Sequence, residues 1–503
     1  MSQPETQTTA EPGASTNTVR RQWIGLAAGP VLALLTFLLL PESLQAPAKA
    51  TAAVAVLMAV WWMTEALPLP ATALLPLVLF PVLGVADIDD VASPYANDVI
   101  FLFMGGFMLA LAMQRWNLHK RIALRTVLAV GTKPVMLIAG FMIATAFISM
   151  WVSNTATTVM MMPIGLSVLG LTLQLGNGER DANFATALML GIAYAASIGS
   201  LGTIIGTPPN TLLVGYLDDN HDIQIGFGQW MLFGVPIAVV FLVITWLVLT
   251  KFVFPPKMKS LPGGREMIRA QLDELGPMSR GEWNALAVFV FAALSWIFIP
   301  VLADTDTIGG ALPWLSRISD AGIAMTVAVV LFLLPVDARS GVRTLDWDTA
   351  KTLPWGVLLL FGGGLSLSSQ FTATELSNWI GDQVGALGAL PTILLVAVAA
   401  GLVLILTELT SNTATAAAFL PILGGVAVGL GTGPMLLVVP AALAATCAFM
   451  LPVATPPNAI VFGSGHVTIG QMMRGGVWLN VIGLVLITLA AYTLGAWVLG
   501  LRF

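Results

Sequence analysis

The sequence predicts an all-α polytopic membrane protein, and three observations support that prediction. Of the 503 residues, 57% are hydrophobic and only 9% are charged, and the mean hydropathy is +0.89. A soluble globular protein of this size could not cover its surface with so few charged side chains. The apolar residues form runs of about 20, which suits membrane-spanning helices, and they do not alternate as the residues of β-barrel strands do.

The composition also excludes several functions. A net charge of −5 gives no basic surface for nucleic acid, so no nucleic-acid partner is expected. Cys447 is the single cysteine, which rules out an internal disulfide and a cysteine-based metal site. The chain contains no HExxH, GxSxG or paired-carboxylate motif, so we do not expect an enzyme.

The basic residues orient the chain in the membrane. If 134–174 and 388–428 each enter the membrane and return to the same side as re-entrant hairpins, 18 of the 21 Lys and Arg residues lie on one side. Short loops rich in Lys and Arg are cytoplasmic. The result is eleven spans, with the N-terminus in the cytoplasm and the C-terminus outside. Residues 1–21 are expected to form a disordered cytoplasmic tail, and residues 255–283 a cytoplasmic linker with an amphipathic helix.

Two motifs occur twice in the same order. SNTAT at 153–157 recurs 258 residues later at 411–415, and TPPN at 207–210 recurs 248 residues later at 455–458. One N-terminal span leaves five spans for each copy, which is an odd number, so the second copy lies upside down. Inverted repeats with interrupted helices are typical of secondary transporters, whose binding site lies at the repeat interface near the midplane.

The SNTAT motif predicts a helix break that offers charges of both signs. A helix over 134–152 ends near Ser153 with unpaired carbonyls, and the next begins near Thr155 or Ala156 with unpaired N–H groups. Ser, Asn and Thr can cap either end. A cation and an anion can therefore bind at one turn, and such a break persists at membrane depth only beside a cavity or inside protein.

The TPPN motif predicts a second break. Prolines donate no backbone hydrogen bond, and the residue before a proline takes an extended conformation. Thr207 therefore marks the break, Gly206 has a free carbonyl, and the following half-helix begins at Pro208. Thr455 and Ala454 take the places of Thr207 and Gly206 in the second copy.

Structural interpretations compete with these functional ones. Ser and Thr in membrane helices often bond to their own helix, and Asn often links two helices. Two ordered copies of both motifs favour a binding site. The glycine pairs 105–106 and 363–364 indicate close helix packing. Glu65 ends a span and is expected at the membrane interface, whereas Glu408, beside a hairpin tip, either couples an ion or proton or makes a structural hydrogen bond.

Paired SNT motifs, each followed by a PPN break, resemble the divalent anion:sodium symporter family, and the resemblance extends over the chain after about residue 20. It implies a homodimer in the lipid bilayer, most simply the inner (plasma) membrane of a bacterium. It also implies an elevator mechanism in which a transport domain moves against a scaffold. The scaffold spans and interfacial helices would occupy 22–132 and 284–387, and the two halves of the transport domain would occupy 133–254 and 388–503.

The resemblance also assigns site residues by their position in the motifs. One sodium site would comprise Ser149, Ser153, Asn154 and Gly206, and the other Thr407, Thr410, Asn412 and Ala454. The substrate would contact Asn154, Thr155, Thr207, Asn412 and Thr413, with Thr455 or Pro456. At least two Na⁺ ions and no organic cofactor are expected.

We therefore predict a transporter that imports a small C4-dicarboxylate such as succinate, malate or fumarate together with Na⁺. Moving a bare dianion through hydrocarbon is forbidding, since the idealised cost is on the order of 20 kcal/mol per charge, and two cations would neutralise it. Neither motif contains a Lys or His, which favours sodium. Citrate or sulfate as cargo, a sodium-independent dicarboxylate exchanger, and a channel are the alternatives.

Overall fold

The computed structural model describes residues 16–131, 133–175, 181–258, 260, 263–305, 307–383 and 390–502. Residues 1–15 of the predicted tail, and Arg180 and Lys259 of the basic loops, lie outside these residues. Ten of the described helices are long and apolar enough to cross a membrane. Within the described ranges the single departure from a helical fold is a short antiparallel pair, β1 Pro335–Asp337 with β2 Val342–Arg343. The prediction of a polytopic helical protein is confirmed.

The first half of the chain runs from an N-terminal helix to the span after the first TPPN motif. Its helices are α1 Thr16–Leu39, α2 Ala46–Thr64, α3 Leu69–Thr72, α4 Leu75–Val82, α5 Ile88–Ala92, α6 Asp98–Arg115, α7 Leu118–Val130, α8 Pro134–Ser149, α9 Asn154–Leu175, α10 Ala182–Gly199, α11 Pro208–His221 and α12 Phe227–Leu247. Short 3₁₀ turns lie at Ser93–Ala96, Ser200–Gly202 and Ile204–Gly206, and α12 ends in a π-helical turn, Val248–Val253.

The second half of the chain begins with a helix in the predicted linker. Its helices are α13 Gly264–Glu274, α14 Arg280–Ala303, α15 Ile308–Ala311, α16 Asp320–Leu333, α17 Trp347–Ala350, α18 Trp355–Ala373, α19 Leu376–Gln383, α20 Thr392–Thr407, α21 Asn412–Gly429, α22 Met435–Thr446, α23 Pro456–Gly463 and α24 Ile469–Ala490. A 3₁₀ turn lies at Pro313–Arg317, and α24, like α12, ends in a π-helical turn, Ala491–Leu499.

Helix α1 begins earlier than the sequence suggested. It starts at Thr16, so the assignment of residues 16–21 to a disordered tail is wrong. Arg side chains continue a helix readily, so the apolar span extends toward its N-terminus. The Nη2 atom of Arg21 also lies 3.1 Å from a carboxylate oxygen of Glu65 at the end of α2. That contact ties the start of α1 to the neighbouring helix.

Each SNTAT motif lies at the turn of a helical hairpin, α8–α9 in the first copy and α20–α21 in the second. The first turn is longer than expected, because α8 ends at Ser149 rather than at 152, whereas α9 begins at Asn154, only one residue earlier than Thr155. The physical reason is a contact across the turn, in which Ser149 Oγ lies 2.9 Å from Asn154 Oδ1.

Each TPPN motif begins the second half of a broken span. The first span is broken between α10 and α11 by the two 3₁₀ turns, and the second between α22 and α23 by the non-helical segment 447–455. Helix α10 packs against the hairpin α8–α9 of the first copy and against α23 of the second. Helix α22 packs against the hairpin α20–α21 of the second copy and against α11 of the first. The two copies therefore interlock at the centre of the molecule.

The repeated glycines lie where helices touch closely. A Cβ atom at Gly105 would collide with the backbone of Ala324 on α16, and one at Gly363 with the backbone of Ala73 beside α3. Next to them Phe103 packs edge-on against Phe361, with ring centroids 4.9 Å apart. These contacts agree with the interpretation of the glycine pairs as packing residues.

Candidate functional site

Both hairpin turns and both breaks border one cavity of about 620 Å³. The hairpins contribute Ser153, Asn154 and Thr155 from the first copy, and Ser411, Asn412 and Thr413 from the second. The breaks contribute Gly206, Thr207, Pro208 and Ala459 together with residues 452–457. The structure thus brings four segments, up to about 300 positions apart in the chain, to a single space.

The residues predicted to bind substrate all line this cavity: Asn154, Thr155, Thr207, Asn412, Thr413, Thr455 and Pro456. Of the residues predicted to bind sodium, Ser153, Asn154, Gly206, Asn412 and Ala454 also line it. Ser149, Thr407 and Thr410 lie behind the turns and are buried. The structure therefore brings the predicted substrate residues together around one cavity and the predicted sodium residues to its wall or directly behind it. That these residues bind substrate or sodium stays a prediction.

The turn of the first hairpin holds a cluster of oxygen atoms. Ser149 Oγ lies 2.7 Å from the carbonyl oxygen of Ala196 on α10 and 2.9 Å from Asn154 Oδ1. A hydroxyl has one proton, so it can donate to only one of these acceptors. The cluster has three oxygens and one proton between them, and its spare lone pairs suit a hard cation.

The second hairpin repeats this cluster with Thr in place of Ser. Thr407 Oγ1 lies 2.7 Å from the carbonyl oxygen of Ala445 on α22 and 2.8 Å from Asn412 Oδ1. Both Ser149 and Thr407 are completely buried. The same surplus of acceptors therefore occurs at both turns, at matched positions of the repeat.

The trailing helices of the hairpins begin at the cavity. Helix α9 starts at Asn154 and α21 at Asn412, so their first N–H groups and the positive ends of their dipoles lie at the cavity wall. Ser153 Oγ accepts a hydrogen bond from Ala156 N at 3.3 Å, which caps part of the first end. An anion in the cavity would meet two helix N-termini.

The breaks present Thr207 and Thr455 in extended conformation. Thr455 Oγ1 accepts a hydrogen bond from Asn458 N at 3.3 Å and caps α23. The side chain of Thr207 makes no capping bond to α11, although the residue lines the cavity. The hydroxyl of Thr207 is thus the freer of the two to contact a ligand.

Sequence reasoning missed the role of the asparagines in the two TPPN motifs. Asn210 Nδ2 donates to the carbonyl oxygens of Ser200 and Thr203, at 3.3 and 2.9 Å. Asn458 Nδ2 donates to those of Ala448 and Leu451, both at 3.1 Å. Each asparagine therefore binds two backbone carbonyl groups of its own break. The occurrence of this asparagine in both TPPN motifs was the sequence feature that could have indicated such a role.

The rest of the wall was also not foreseen. It consists of Glu65, Phe103, Phe107, Pro354 and Val357, contributed by α2, α6 and α18 or the residues beside them. Glu65, expected at the membrane interface, lies on the cavity wall. It ends α2 in a left-handed backbone conformation, which turns the chain at this point. Among the described lining residues it is the only charged one, so no Lys or Arg faces the cavity.

Comparison with known proteins gives a family and a fold. The model of the sodium:sulfate symporter transmembrane region matches residues 20–501. The sodium-dependent dicarboxylate transporter SdcS of Staphylococcus saprophyticus is 45% identical over 486 residues, which is 95% of this chain and 92% of that protein. SdcS of Staphylococcus aureus is 44% identical over the same lengths. These matches confirm the resemblance carried by the paired motifs.

Solved structures share the fold at low sequence identity. The YdaH transporter of Alcanivorax borkumensis superimposes with a TM-score of 0.58 and 15% identity, covering 90% of this chain and 98% of that one. MtrF of Neisseria gonorrhoeae gives 0.56 and 14%, covering 93% and 98%. At these identities the likeness concerns the fold alone.

Proposed function

The chain belongs to the sodium:sulfate symporter family, and from that premise we propose that it is a secondary transporter that imports a C4-dicarboxylate together with Na⁺. Relatives at 44–45% identity carry the name sodium-dependent dicarboxylate transporter. The observation that carries the proposal for this chain is the pair of proton-poor oxygen clusters at Ser149 and Thr407, each behind a turn that borders the same cavity.

The two clusters would hold two sodium ions. In the first, Ser149, Ser153 and Asn154 would coordinate the ion with the carbonyl of Gly206. In the second, Thr407, Asn412 and the carbonyl of Ala454 would do so. Thr410 would contribute its backbone carbonyl, because its hydroxyl already lies 2.9 Å from the Leu406 carbonyl and 2.6 Å from the Thr415 hydroxyl.

The anion would be held without a basic side chain. The N-termini of α9 and α21, the amides of Asn154 and Asn412, and the hydroxyls of Thr155, Thr207 and Thr413 surround the cavity. Their partial charges, added to those of two bound Na⁺ ions, would balance two carboxylates. Substrate binding would therefore depend on sodium, which is the physical basis of coupling in this proposal.

If the transport domain moves as an elevator, the contacts between the two predicted domains indicate which side of the cavity is closed. At one end of the molecule Asn97 Nδ2 donates to Asp219 Oδ1 at 2.6 Å, and Phe227 N donates to Asp320 Oδ2 at 2.7 Å. Asn97 and Asp320 belong to the predicted scaffold, and Asp219 and Phe227 to the predicted transport domain. In the predicted inverted-repeat topology of eleven spans this end is outside. We infer an inward-facing arrangement in which these bonds close the outer side.

The remaining parts of the proposal follow from the family. The protein would be a homodimer in a bacterial plasma membrane, with a cytoplasmic N-terminus and an external C-terminus. The relatives come from bacteria, and the part of the chain that the structure describes contains ten helices suited to spanning a bilayer.

A competition screen in proteoliposomes tests the function. Uptake of radiolabelled succinate is measured with external Na⁺ or choline, in the presence of unlabelled malate, fumarate, citrate or sulfate. The proposal predicts uptake that requires Na⁺ and is inhibited by malate and fumarate more strongly than by sulfate. Uptake that proceeds equally in choline, provided the vesicles contain a dicarboxylate, would replace the symporter with an exchanger.

A further inference from the structure

We propose that Glu408 is a positioning residue that fixes the shape of the second break and, through it, the affinity of the second sodium site. The proposal rests on the proposed function for the sodium site, but its structural part stands on Glu408 alone. This residue follows Thr407 directly and is 6% exposed. It is the carboxylate whose role the sequence left open.

The carboxylate of Glu408 satisfies the backbone of the break. Its Oε1 atom accepts hydrogen bonds from Phe449 N at 2.8 Å and Met450 N at 3.0 Å, and from Asn480 Nδ2 at 2.7 Å. Its Oε2 atom accepts from Met450 N and Leu451 N, both at 3.2 Å. Three successive N–H groups that no helix satisfies are therefore paired with one side chain.

These contacts decide between the two interpretations of Glu408. A carboxylate offers about four lone-pair sites, and here five donor contacts converge on it. No acceptor capacity is left for a transported cation or a transferred proton. The geometry points to a structural role close to the site rather than to direct coupling.

The first copy of the repeat has no such carboxylate. Met150 occupies the position equivalent to Glu408, and the first break consists of the 3₁₀ turns Ser200–Gly202 and Ile204–Gly206. A 3₁₀ turn supplies acceptors for its own N–H groups. The second break, 447–455, is not helical and takes its acceptors from Glu408 instead. In the second break the carboxylate of Glu408 thus supplies acceptors for backbone N–H groups, as the 3₁₀ turns do in the first break.

In each break a side-chain donor binds the backbone carbonyl at the equivalent position. In the first copy Trp230 Nε1 donates to the Leu201 carbonyl at 3.1 Å. At the equivalent position of the second copy the Tyr194 hydroxyl donates to the Phe449 carbonyl at 2.9 Å. Although these carbonyl contacts correspond, only the second break has a carboxylate bonded to its N–H groups.

The segment held by Glu408 leads directly into the cavity wall. Pro452, Val453 and Ala454 follow the three bonded residues and line the cavity, and Ala454 is the proposed sodium ligand. A shift of the bonded residues would therefore move the Ala454 carbonyl. The negative charge beside Thr407, with none at the equivalent place in the first copy, further makes the two sodium sites unequal.

The chain carries a natural reporter of this segment. Cys447, its single cysteine, begins the break and is 1% exposed. In wild-type protein N-ethylmaleimide should label it slowly. In Glu408→Gln an NH2 group replaces one of the two oxygens and cannot accept from the N–H groups that face it, so the break should open and labelling should accelerate by about tenfold or more, the effect of losing roughly one charge-assisted hydrogen bond.

The matched control is Glu282→Gln. Glu282, at the end of the predicted linker, is a 4% exposed glutamate that pairs at 2.6 Å with Arg121 of the predicted scaffold. It undergoes the same chemical change away from the break, so Cys447 labelling should keep the wild-type rate. Equal acceleration in both variants would mean general loosening and would overturn the proposal. If Glu408→Gln fails to fold, Asn480→Ala removes one donor to the carboxylate and should accelerate labelling by a smaller factor.

Transport supplies the second measurement. In proteoliposomes Glu408→Gln should raise the Na⁺ concentration for half-maximal succinate uptake by about tenfold while the pH profile keeps its shape. A pH profile that disappears in the variant would restore the proton-coupling interpretation. Wild-type labelling together with wild-type sodium dependence would refute the positioning role. Absence of sodium-dependent uptake in the wild type would refute the proposed function, while the labelling would still test the role of Glu408.

Discussion

Removing the two buried hydroxyls tests the sodium sites most specifically. Thr407→Val keeps the shape of the side chain and deletes Oγ1, which lies between the Ala445 carbonyl and Asn412 Oδ1. Ser149→Ala deletes the equivalent atom in the first copy. Each change removes one oxygen from its cluster and leaves a buried acceptor without a donor.

The expected size follows from those contacts. Losing one polar contact to a charged group costs about 1.5–3 kcal/mol. Because the deleted hydroxyl oxygen is a proposed ligand of the ion, the Na⁺ concentration for half-maximal uptake should rise by about 10- to 150-fold, since each 1.4 kcal/mol is a factor of about ten. At saturating Na⁺ the apparent succinate affinity should change far less, because neither hydroxyl lines the cavity.

The assay is initial succinate uptake in proteoliposomes as a function of external Na⁺. Thr145→Val is the matched control, because Thr145 is completely buried one turn earlier on α8 and its hydroxyl bonds to the Phe141 carbonyl of its own helix at 2.7 Å. Its sodium dependence should match the wild type. A wild-type sodium dependence in both test variants, or an equal shift in the control, would refute the assignment of the clusters.

Three further predictions concern the substrate, the topology and the closed outer side. Asn154→Ala and Asn412→Ala should each nearly abolish uptake in a folded protein, because losing a hydrogen bond to a charged group costs about 1.5–3 kcal/mol; wild-type transport in either would remove it from the substrate site. A cysteine placed at Lys133 in a Cys447→Ala background should be labelled from the cytoplasm and one at Leu390 from outside, whereas labelling of both from one side would contradict the inverted repeat. Asn97→Ala removes a contact of the closed outer side, so it should increase labelling of cavity cysteines by an external reagent, and unchanged labelling would show that this bond does not hold the outer side closed.

The sequence predicted the helix breaks because their chemistry is local. Proline prevents hydrogen bonding at a known position, and the residue before it is extended, so Thr207 and Thr455 could be placed from neighbouring residues alone. Repetition then showed that Asn154 and Asn412 occupy equivalent places. All of these residues line the cavity.

The sequence could not reveal contacts between distant segments. Glu408 bonds to N–H groups 41 to 43 residues away, and no local pattern signals an acceptor for an irregular segment. Glu65 reaches the cavity wall only because α2 ends beside it. The early end of α8 at Ser149 likewise involves a contact with the Ala196 carbonyl of another helix.

The central claim is that the free energy of the sodium gradient drives dicarboxylate import. The most direct test is the succinate ratio that proteoliposomes reach under a tenfold inward Na⁺ gradient, at zero membrane potential and without internal dicarboxylate. Each sodium ion moving down that gradient supplies about 1.4 kcal/mol, so two coupled ions predict about 100-fold accumulation of succinate inside. A steady state with equal succinate concentrations on both sides, unaffected when choline replaces Na⁺, would contradict the claim.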